Sequence, residues 1–340
     1  MLEIVIPRFG GPEVFEARER PTPEPGPGQV RVAVEASGVN FADLMARMGL
    51  YDKTPPLPAC VGWEVAGTIE AVGPGVPEDR VGEAVLAASH FGGYATHAVV
   101  DAIVAVPRPP GMDAATGAAI PVHGLSAWMM LEVMGRVREG DRVLIHSAGG
   151  GLGLFAVQLA KRRGAWVAGT ASGPKHTAIR TAGYDQLIDY TTTDVAQALE
   201  GQEGFDLILD PLAGRSWKQS FELLRGGGRL CVYGYSRAVA GRRRKLSSLV
   251  RTMREVPWAM FAPFKLMRMN KGVLGIELEH MWHEAPRLRG WCDELVALVD
   301  AGELSPWVHA RVPLTQAAEA HRMLHDRQNI GKVVLVNDVA

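Results

Sequence analysis

The stretch "HSAGGGLGLFAVQLAK" (residues 146–161) decides the predicted fold. It joins an apolar run, "RVLIHSA" (142–148), to a run of helical spacing. A strand, a glycine-rich turn and a helix in this order can bind a pyrophosphate. The first N–H groups of the helix are free, and the glycines let the backbone approach the anion. Ala148 replaces the first glycine of the usual pattern, whereas Gly150 and Gly153 keep the others. The alternative is a glycine-rich turn without a ligand.

Further pairs of strand and helix follow this motif along the chain. The predicted strands are apolar runs without polar alternation, which is typical of a parallel sheet covered on both faces. The sequence therefore predicts a doubly wound α/β domain. Its further strands are "AWVAGTAS" (165–172), "QLIDY" (186–190), "FDLILDPL" (205–212), "RLCVYGY" (229–235) and "VLGIEL" (273–278), with a helix "RSWKQSFELLRGG" (215–227) before the fourth of these.

The first 120 residues have a different pattern. Short alternating runs such as "QVRVAVEASGV" (29–39) are separated by Gly and Pro, which predicts a small β-barrel or a partly open sheet. We expect the last helix and strand of the chain to return to this domain, so that the α/β unit is an insertion. The predicted domains are 1–121 together with 279–340, and 122–278.

Composition limits the classes of function. The 340 residues carry a formal net charge of −1, which provides no global field for a nucleic acid partner. The three cysteines lie far apart without CxxC spacing, so a disulfide scaffold is not expected. The chain begins without a signal-peptide pattern and has no uncharged apolar run of about 18 residues. A cytoplasmic location is the resulting prediction.

The end of the second strand predicts the nucleotide. An NAD site usually has an acidic residue there, but "GTASGPKH" (169–176) has none. Ser172 and Lys175 could instead bond to the 2′-phosphate of NADPH, and Tyr190 at the end of the third strand is a second candidate. NADPH is therefore the predicted cofactor. The alternative for Lys175 is a solvated residue at the start of a helix.

The chain resembles the medium-chain dehydrogenase/reductases over nearly its whole length. The motifs that carry the resemblance, in the family's order, include "GVNFADLMARMGLY" (38–51), the turn at 146–161, "DPLAG" (210–214) and "NIGKVVLV" (329–336). The chain is most similar to the zinc-free quinone oxidoreductase branch and, within it, to the vesicle amine transport protein homologues. The resemblance implies a GroES-like, β-rich catalytic domain with an inserted Rossmann domain, and a homodimer.

The resemblance also implies a site without metal. Relatives with catalytic zinc carry Cys near the position of Asn40 and His near that of Trp63. A catalytic zinc usually needs three protein ligands, and two of the expected ones are absent here. His123 could only be an isolated ligand, and the alternative is an ordinary packed or exposed histidine. Quinones and enones, which are already electrophilic, are the small-molecule substrates that suit such a site.

The site residues follow from the turn and from the resemblance. Asn40 and Tyr51 are the predicted catalytic residues. Asn40 could hold the nicotinamide or donate to an acceptor oxygen, and Tyr51 could donate a hydrogen bond or a proton. The alternatives are a turn residue and a rim aromatic, and Asp43 is predicted to start a helix rather than to act as an acid. The predicted cofactor-binding residues are Ser126, Ala148, Gly150, Gly151, Leu152, Gly153, Thr170, Ser172, Lys175, Tyr190, Gly214, Gly234 and Lys332.

A basic segment, residues 242–271, remains outside this assignment. It holds nine Lys/Arg and one acid, Glu255, beside apolar residues at helical spacing. A lid over the cleft or a dimer contact is the favoured interpretation, and peripheral contact with an anionic membrane is the alternative. The predicted function is hydride transfer from NADPH to a quinone or a related conjugated carbonyl. An enoyl-thioester reductase, or a nucleotide-binding protein associated with membrane lipid and with little turnover, are the alternatives.

Overall fold

The computed structural model describes residues 1–236 and 246–337. The chain divides into two compact units. The first unit contains residues 1–125 and the chain from 278 onward, and the second contains the described residues between 126 and 277. Each unit has its own sheet system.

The first unit begins with short strands and helices. Its strands are β1 (Leu2–Ile6), β2 (Glu16–Glu19), β3 (Gln29–Val39), β4 (Ala59–Cys60), β5 (Glu64–Val72), β6 (Ala84–Ala88), β7 (His97–Asp101) and β8 (Ala105–Pro107). The helices of this part are α1 (Phe41–Arg47), α2 (Ala114–Gly117) and α3 (Pro121–Trp128), the last of which continues into the second unit.

The second unit is an all-parallel sheet with crossover helices. Its strands are β9 (Arg142–His146), β10 (Trp166–Ala171), β11 (Gln186–Asp189), β12 (Phe205–Asp210), β13 (Leu224–Val232) and β14 (Gly272–Gly275). Its helices are α4 (Gly151–Arg162), α5 (Gly173–Ile179), α6 (Val195–Ala198), α7 (Arg215–Glu222), α8 (Leu246–Glu255) and α9 (Pro263–Met269). The strand order is β11-β10-β9-β12-β13-β14. Numbered within this sheet, that is the 3-2-1-4-5-6 order of dinucleotide-binding folds, whose ligands bind where the order reverses.

The chain then returns to the first unit. The closing elements are α10 (Ala285–Asp300), β15 (Val308–Pro313), α11 (Ala317–His325) and β16 (Lys332–Val336). β16 pairs antiparallel with β3, so residues near both ends of the chain share one seven-stranded sheet. The α/β unit is therefore an insertion between two parts of one β-rich unit.

Alternation along β3 explains how that sheet encloses a core. Val30, Val32 and Val34 are buried and belong to one apolar cluster with residues of β5, β6 and β7. Between them, Arg31 points away and pairs with Glu24 and Glu70. Side chains of a strand alternate between its faces, so three valines at every second position suffice to cover one face.

One predicted boundary is wrong. The helix expected over 215–227 ends at Glu222, and β13 already begins at Leu224. The glycines at 226–228 accompany a shift in the β12–β13 register between Phe205 and Leu207, so the strand continues through residues that the pattern assigned to a helix. None of the described helices is long and apolar enough to cross a membrane.

Candidate active site

The start of α1 is fixed by the carboxylate of Asp43. Asp43 accepts hydrogen bonds from the backbone N–H of Asn40 (2.7 Å) and of Gly62 (2.9 Å), and from the Tyr94 hydroxyl (3.2 Å). A carboxylate three residues into a helix that bonds back to the residue before it stabilises the helix start. The side chain is fully buried, which fits the predicted role at a helix start.

A buried ion pair lies beside this helix start. The Lys332 ammonium contacts Glu64 Oε1, and the two side chains are at most 1% exposed. The Asn40 amide joins the pair, because its Nδ2 donates to Glu64 Oε1 (2.8 Å) and its Oδ1 accepts from Lys332 Nζ (2.6 Å). The other Glu64 oxygen accepts from the backbone N–H of Val122 (2.7 Å). Both ends of the Asn40 amide are thus occupied inside the unit.

Strand register brings these three side chains together. Val333 of β16 lies opposite Val39 of β3, so Lys332 comes beside Asn40. On the other side of β3, Ser37 pairs with Val65, which puts Glu64 opposite Gly38. A Cβ on Gly38 would lie 2.3 Å from Glu64 Oε1 and 2.6 Å from Lys332 Cε, so this position can only be glycine.

Burial changes the protonation of the groups around the ion pair. It lowers the pKa of Lys332, and the charge of Glu64 opposes that shift. Burial lowers the pKa of His123 well below its ordinary value, and the Lys332 charge adds to the effect. His123 Nε2 lies 3.5 Å from Lys332 Nζ, so a neutral imidazole faces the ammonium.

An aromatic triad lies next to the polar network. Tyr51, Trp63 and Phe91 form it, and its Trp63 immediately precedes Glu64 in the chain. The ring centroids of Tyr51 and Trp63 are 5.5 Å apart, those of Trp63 and Phe91 4.3 Å, and those of Tyr51 and Phe91 6.1 Å. Tyr51 and Phe91 are half-buried, whereas Trp63 is 7% exposed. Within the described residues, no three His, Cys, Asp or Glu side chains are grouped to hold a metal.

In the second unit, the glycine-rich turn has the geometry of a close approach. α4 begins at Gly151 after Gly150, and a Cβ on Gly153 would lie 2.7 Å from the Ser147 carbonyl oxygen and 2.8 Å from that of Ala148. Gly153 is therefore required for the helix to pack on the turn. Gly151, Leu152 and Gly153 open the helix, and the N–H groups of a first helical turn have no intrahelical acceptor. They are available to an anion.

The start of α5 lies beside this turn. Its N-cap is Ser172, and the side-chain stem of Lys175 passes 3.1 Å from where a Cβ of Gly149 would be. The carboxylate of Asp189 also lies here. It was not predicted, because Asp189 ends β11, whereas the expected acidic position is the end of β10. Asp189 accepts from Thr191 Oγ1 (2.6 Å), and the side-chain and backbone hydrogen bonds of Thr191 lower its pKa below the ordinary value. A Cβ on Gly173 would lie 2.5 Å from Asp189 Oδ2, so this carboxylate packs directly against the start of α5.

The other predicted residues have more varied surroundings. Thr170 is buried and its hydroxyl lies 3.0 Å from His146 Nδ1, so its side chain belongs to an internal network. Tyr190 is exposed, and Ser126 is half-buried in α3. Gly214 has φ 63° and lies under the end of α8, where its Cβ would be 3.2 Å from Glu255 Oε2. Gly234 follows β13, and Lys332 lies in the ion pair of the first unit.

Two buried side chains, His146 and Tyr184, support the glycine-rich turn and the strand ends beside it, and neither was predicted from the sequence. His146 Nε2 lies 3.0 Å from Ser220 Oγ, which donates to Asp210 Oδ2 (2.7 Å), so the ends of β9 and β12 are joined where the strand order reverses. The Tyr184 hydroxyl lies 3.0 Å from the Ala148 carbonyl oxygen and 2.9 Å from that of Gly153. It holds the turn against the helix. No local pattern marks either group, because their partners are distant in sequence.

The basic segment is only partly described, since residues 242–245 lie outside the described ranges. Within α9 and the turn before it, Trp258, Phe264 and Met267 are 67%, 77% and 65% exposed. Lys265 and Arg268 lie on the same short helix. The segment therefore combines an exposed apolar surface with cations.

Comparison with known proteins assigns the class. The family described as "Alcohol dehydrogenase GroES-like domain" matches residues 26–110, and the family described as "Zinc-binding dehydrogenase" matches residues 182–335. The human "Synaptic vesicle membrane protein VAT-1 homolog" is 35% identical, and the match covers 98% of this chain and 86% of the relative. The chain belongs to the medium-chain dehydrogenase/reductase superfamily.

Two further relatives place the chain in the quinone oxidoreductase-like branch, as the sequence predicted. The "2-haloacrylate reductase" of Burkholderia sp. is 33% identical, with 99% of each chain covered. The crystal structure of Escherichia coli quinone oxidoreductase complexed with NADPH has a TM-score of 0.86 at 28% identity, covering 99% of this chain and 100% of that one. The predicted fold class, a GroES-like β-rich domain with an inserted Rossmann domain, is confirmed.

The first prediction concerns the pH dependence of stability. Burial raises the pKa of Asp43 from 3.8 to about 7, although hydrogen bonds and the Lys332 charge oppose the shift. Because the pKa of Asp43 is higher in the folded than in the unfolded chain, its protonated form favours the folded state. This contribution to the free energy of unfolding is complete below about pH 4 and is lost as the pH rises through 7. Relative to Asp43→Asn, the wild-type free energy of unfolding should fall by up to about 4 kcal/mol between pH 4 and pH 8. Urea unfolding at several pH values measures this, and parallel profiles would contradict it.

The second prediction concerns Tyr184. Tyr184→Phe removes the hydroxyl that joins the turn to α4, while the ring keeps its packing. We expect the dissociation constant of NADPH to rise about threefold to tenfold, because a hydrogen bond contributes about 0.5–1.5 kcal/mol. Calorimetric titration measures it, with Tyr94→Phe as the control, since that variant removes a buried hydroxyl from the other unit. An unchanged constant in Tyr184→Phe would show that the turn does not need this support.

Proposed function

We propose that this chain is an NADPH-dependent, zinc-independent oxidoreductase that transfers hydride to a quinone or a related conjugated carbonyl. The observation that carries the proposal is the glycine-rich turn at the start of α4, with the stem of Lys175 lying against its Gly149. Similarity to a quinone oxidoreductase crystallised with NADPH supports the same conclusion.

The residues of the second unit fit the nucleotide. The first turn of α4 offers N–H groups to the pyrophosphate, and Gly150 and Gly151 leave room for it. Ser172 and Lys175 are the proposed partners of the 2′-phosphate. When bound, NADPH supplies the hydride.

The position of Asp189 argues against a preference for NADPH over NADH. Its carboxylate accepts a hydrogen bond from the Gly173 backbone at the start of α5, close to the proposed phosphate partners. It would repel a phosphate and could accept a hydrogen bond from a ribose hydroxyl. The proposed preference therefore depends on the Lys175 cation outweighing Asp189, which a direct comparison of NADPH with NADH decides.

The first unit supports the proposed class of acceptor. An amide and an indole occupy the positions where zinc-dependent relatives carry ligands, and Trp63 has no atom suited to bind a metal. Without a Lewis acid, a carbonyl must provide its own electrophilicity. Quinones and conjugated carbonyls accept a hydride at carbon while negative charge spreads to oxygen, so orientation and exclusion of water are the main tasks of the protein.

Asn40 and Tyr51 have separate proposed roles. The Asn40 amide is held between Glu64 and Lys332, so it can present only one orientation, and it stabilises the loop end from which α1 starts. Tyr51 follows that helix and is half-buried, and its hydroxyl is the proposed donor to the acceptor oxygen. Asn40 therefore positions the site, and Tyr51 touches the substrate.

The test of the function follows nicotinamide absorbance with 9,10-phenanthrenequinone, with NADPH and NADH in parallel after treatment with a chelator. We expect chelator-resistant oxidation, faster with NADPH, and a loss of that preference in Lys175→Ala. Tyr51→Phe and Asn40→Ala should lower kcat more than they weaken NADPH binding. Equal loss of both would make the two residues part of the cofactor scaffold. No turnover with any quinone would contradict the function and direct the assay to enoyl thioesters.

The exposed side chains of Trp258, Phe264 and Met267 support a second proposal, a homodimer in which they contact a second copy of the chain. Exposed aromatic and Met side chains that lie close together are typical of protein interfaces. An anionic membrane is the other candidate, because Lys265 and Arg268 would favour it.

Phe264→Ser combined with Met267→Ser distinguishes the two partners. We expect this variant to be monomeric by analytical ultracentrifugation where the wild type is a dimer. The matched control is Lys265→Gln with Arg268→Gln, which should remain dimeric. Sedimentation of the wild type with phosphatidylserine vesicles, lost in the control variant, would instead identify a membrane surface.

A further inference from the structure

The indole N–H of Trp63 is a buried donor without an acceptor. Its Nε1 is shielded from solvent and has no hydrogen-bond partner in the described part of the chain. An indole nitrogen can only donate, and a buried tryptophan usually finds a partner for it. Leaving a donor unpaired in the interior costs free energy. A phenylalanine would fill similar space without that cost, so packing alone does not explain the tryptophan.

The backbone holds Trp63 firmly in this position. The Trp63 carbonyl oxygen accepts from the backbone N–H of Ser89 (2.8 Å), and the Ser89 hydroxyl donates to the preceding carbonyl of Gly62 (3.2 Å). The N–H of Gly62 is bonded to Asp43, and the side chain of Glu64 is locked in the ion pair. Trp63 therefore lies between Gly62 and Glu64, both of which are held in place by hydrogen bonds or the ion pair.

The segment that carries Phe91 is strained. Phe91 has φ 73°, in the left-handed region that aromatic residues rarely adopt, and the next residue, Gly92, has φ 80°. The Gly92 N–H donates to the Cys60 carbonyl oxygen (3.1 Å), which ties the segment to the strand before Trp63. Such strain persists only where the surroundings impose it, and it is common at ligand sites. Here it brings the Phe91 ring to 4.3 Å from the indole.

We propose that Tyr51, Trp63 and Phe91 form the binding surface for a planar, conjugated acceptor, and that Trp63 Nε1–H donates a hydrogen bond to one of its carbonyl oxygens while the Tyr51 hydroxyl donates to the other. The proposal rests on the proposed function and names the substrate class, an aromatic quinone. Tyr51 and Phe91 are the half-buried members and provide the stacking faces. Because solvent does not reach Nε1 while Tyr51 and Phe91 pack against the indole, the proposal requires one of these two rings to move aside when the acceptor binds.

The chemistry of quinone reduction explains why such a donor is useful. The quinone gains a hydride, with its two electrons, and a proton, and becomes a hydroquinone. Negative charge develops on the carbonyl oxygen as the hydride arrives. A fixed N–H donor in a dry site stabilises that charge more than it stabilises the neutral quinone. Trp63 keeps its own proton throughout, and the proton that completes the product comes from water.

The triad also selects for the shape of the acceptor. Aromatic rings stack on a planar conjugated ligand in offset or edge-to-face arrangements. A small aliphatic acid such as the 2-haloacrylate named for the Burkholderia relative has no aromatic face to stack. The surface therefore favours an aromatic quinone over a short, unsaturated acid.

Trp63→Phe is the decisive variant, because it keeps an aromatic ring and removes only the donor. We expect kcat/KM for 9,10-phenanthrenequinone to fall about tenfold or more, since a hydrogen bond to a charged oxygen is lost. The melting temperature should stay equal or rise, because an unpaired buried donor is removed. Trp282→Phe is the matched control. It removes an indole N–H of the same unit that already bonds Glu279 (3.0 Å), and it should leave kcat/KM unchanged.

A binding measurement separates this proposal from the proposed function. The dissociation constant of 9,10-phenanthrenequinone, measured by equilibrium dialysis without NADPH, does not require turnover, and it should rise in Trp63→Phe but not in Trp282→Phe. If the wild type reduces the quinone and the Trp63→Phe variant has the same kcat/KM, the proposed role of Trp63 is wrong, whereas the proposed function still holds. Binding that depends on Trp63 in a protein without turnover would overturn the function alone. A destabilised Trp63→Phe with unchanged binding would make the residue structural.

Discussion

The ion pair between Glu64 and Lys332 is the interaction on which the candidate site depends. It joins β5 to β16 across β3, orients the Asn40 amide and bonds the start of α3 through Val122. Taking two charges out of water is costly, and the cost is offset only when the remaining donors and acceptors are satisfied. Here the carboxylate is shared by an ammonium, an amide and a backbone N–H, so loss of any one partner would disturb the others.

Each unit provides one part of the proposed function. The second unit offers what an anionic nucleotide needs, namely the N–H groups of a helix start and a nearby lysine. His146 joins the strand ends, and Tyr184 holds the turn against α4. For the proposed acceptor, the first unit offers an aromatic surface beside polar groups whose orientations are fixed. In the proposed function, Asn40 and Trp63, at the positions of zinc ligands in relatives, favour an acceptor that is already electrophilic.

Much of the fold could be predicted because the local pattern and the final structure agree. The run 29–39 became β3 with the same bounds, and the glycine-rich turn opens α4 as expected. The end of α7 could not be predicted, because Leu224 to Gly228 extend a strand only through pairing with β12. The same limit holds for the site. Asn40 and Tyr51 stand out by resemblance, whereas Glu64, Tyr184 and Asp189 matter through partners that only the folded chain brings near.

The return of β16 to β3 has a consequence for synthesis of the chain. The first unit cannot complete its central sheet until residues 332–336 have been made, whereas every strand of the second unit is present once residue 275 has emerged. Pairing between such distant segments is slow, because a long loop must close first. During that interval Glu64 has no ammonium and the edge of β3 that later pairs with β16 is open. The strand edge that stays unpaired for longest during synthesis therefore belongs to the unit whose strands are made first, and an unpaired edge is a site for pairing with other chains.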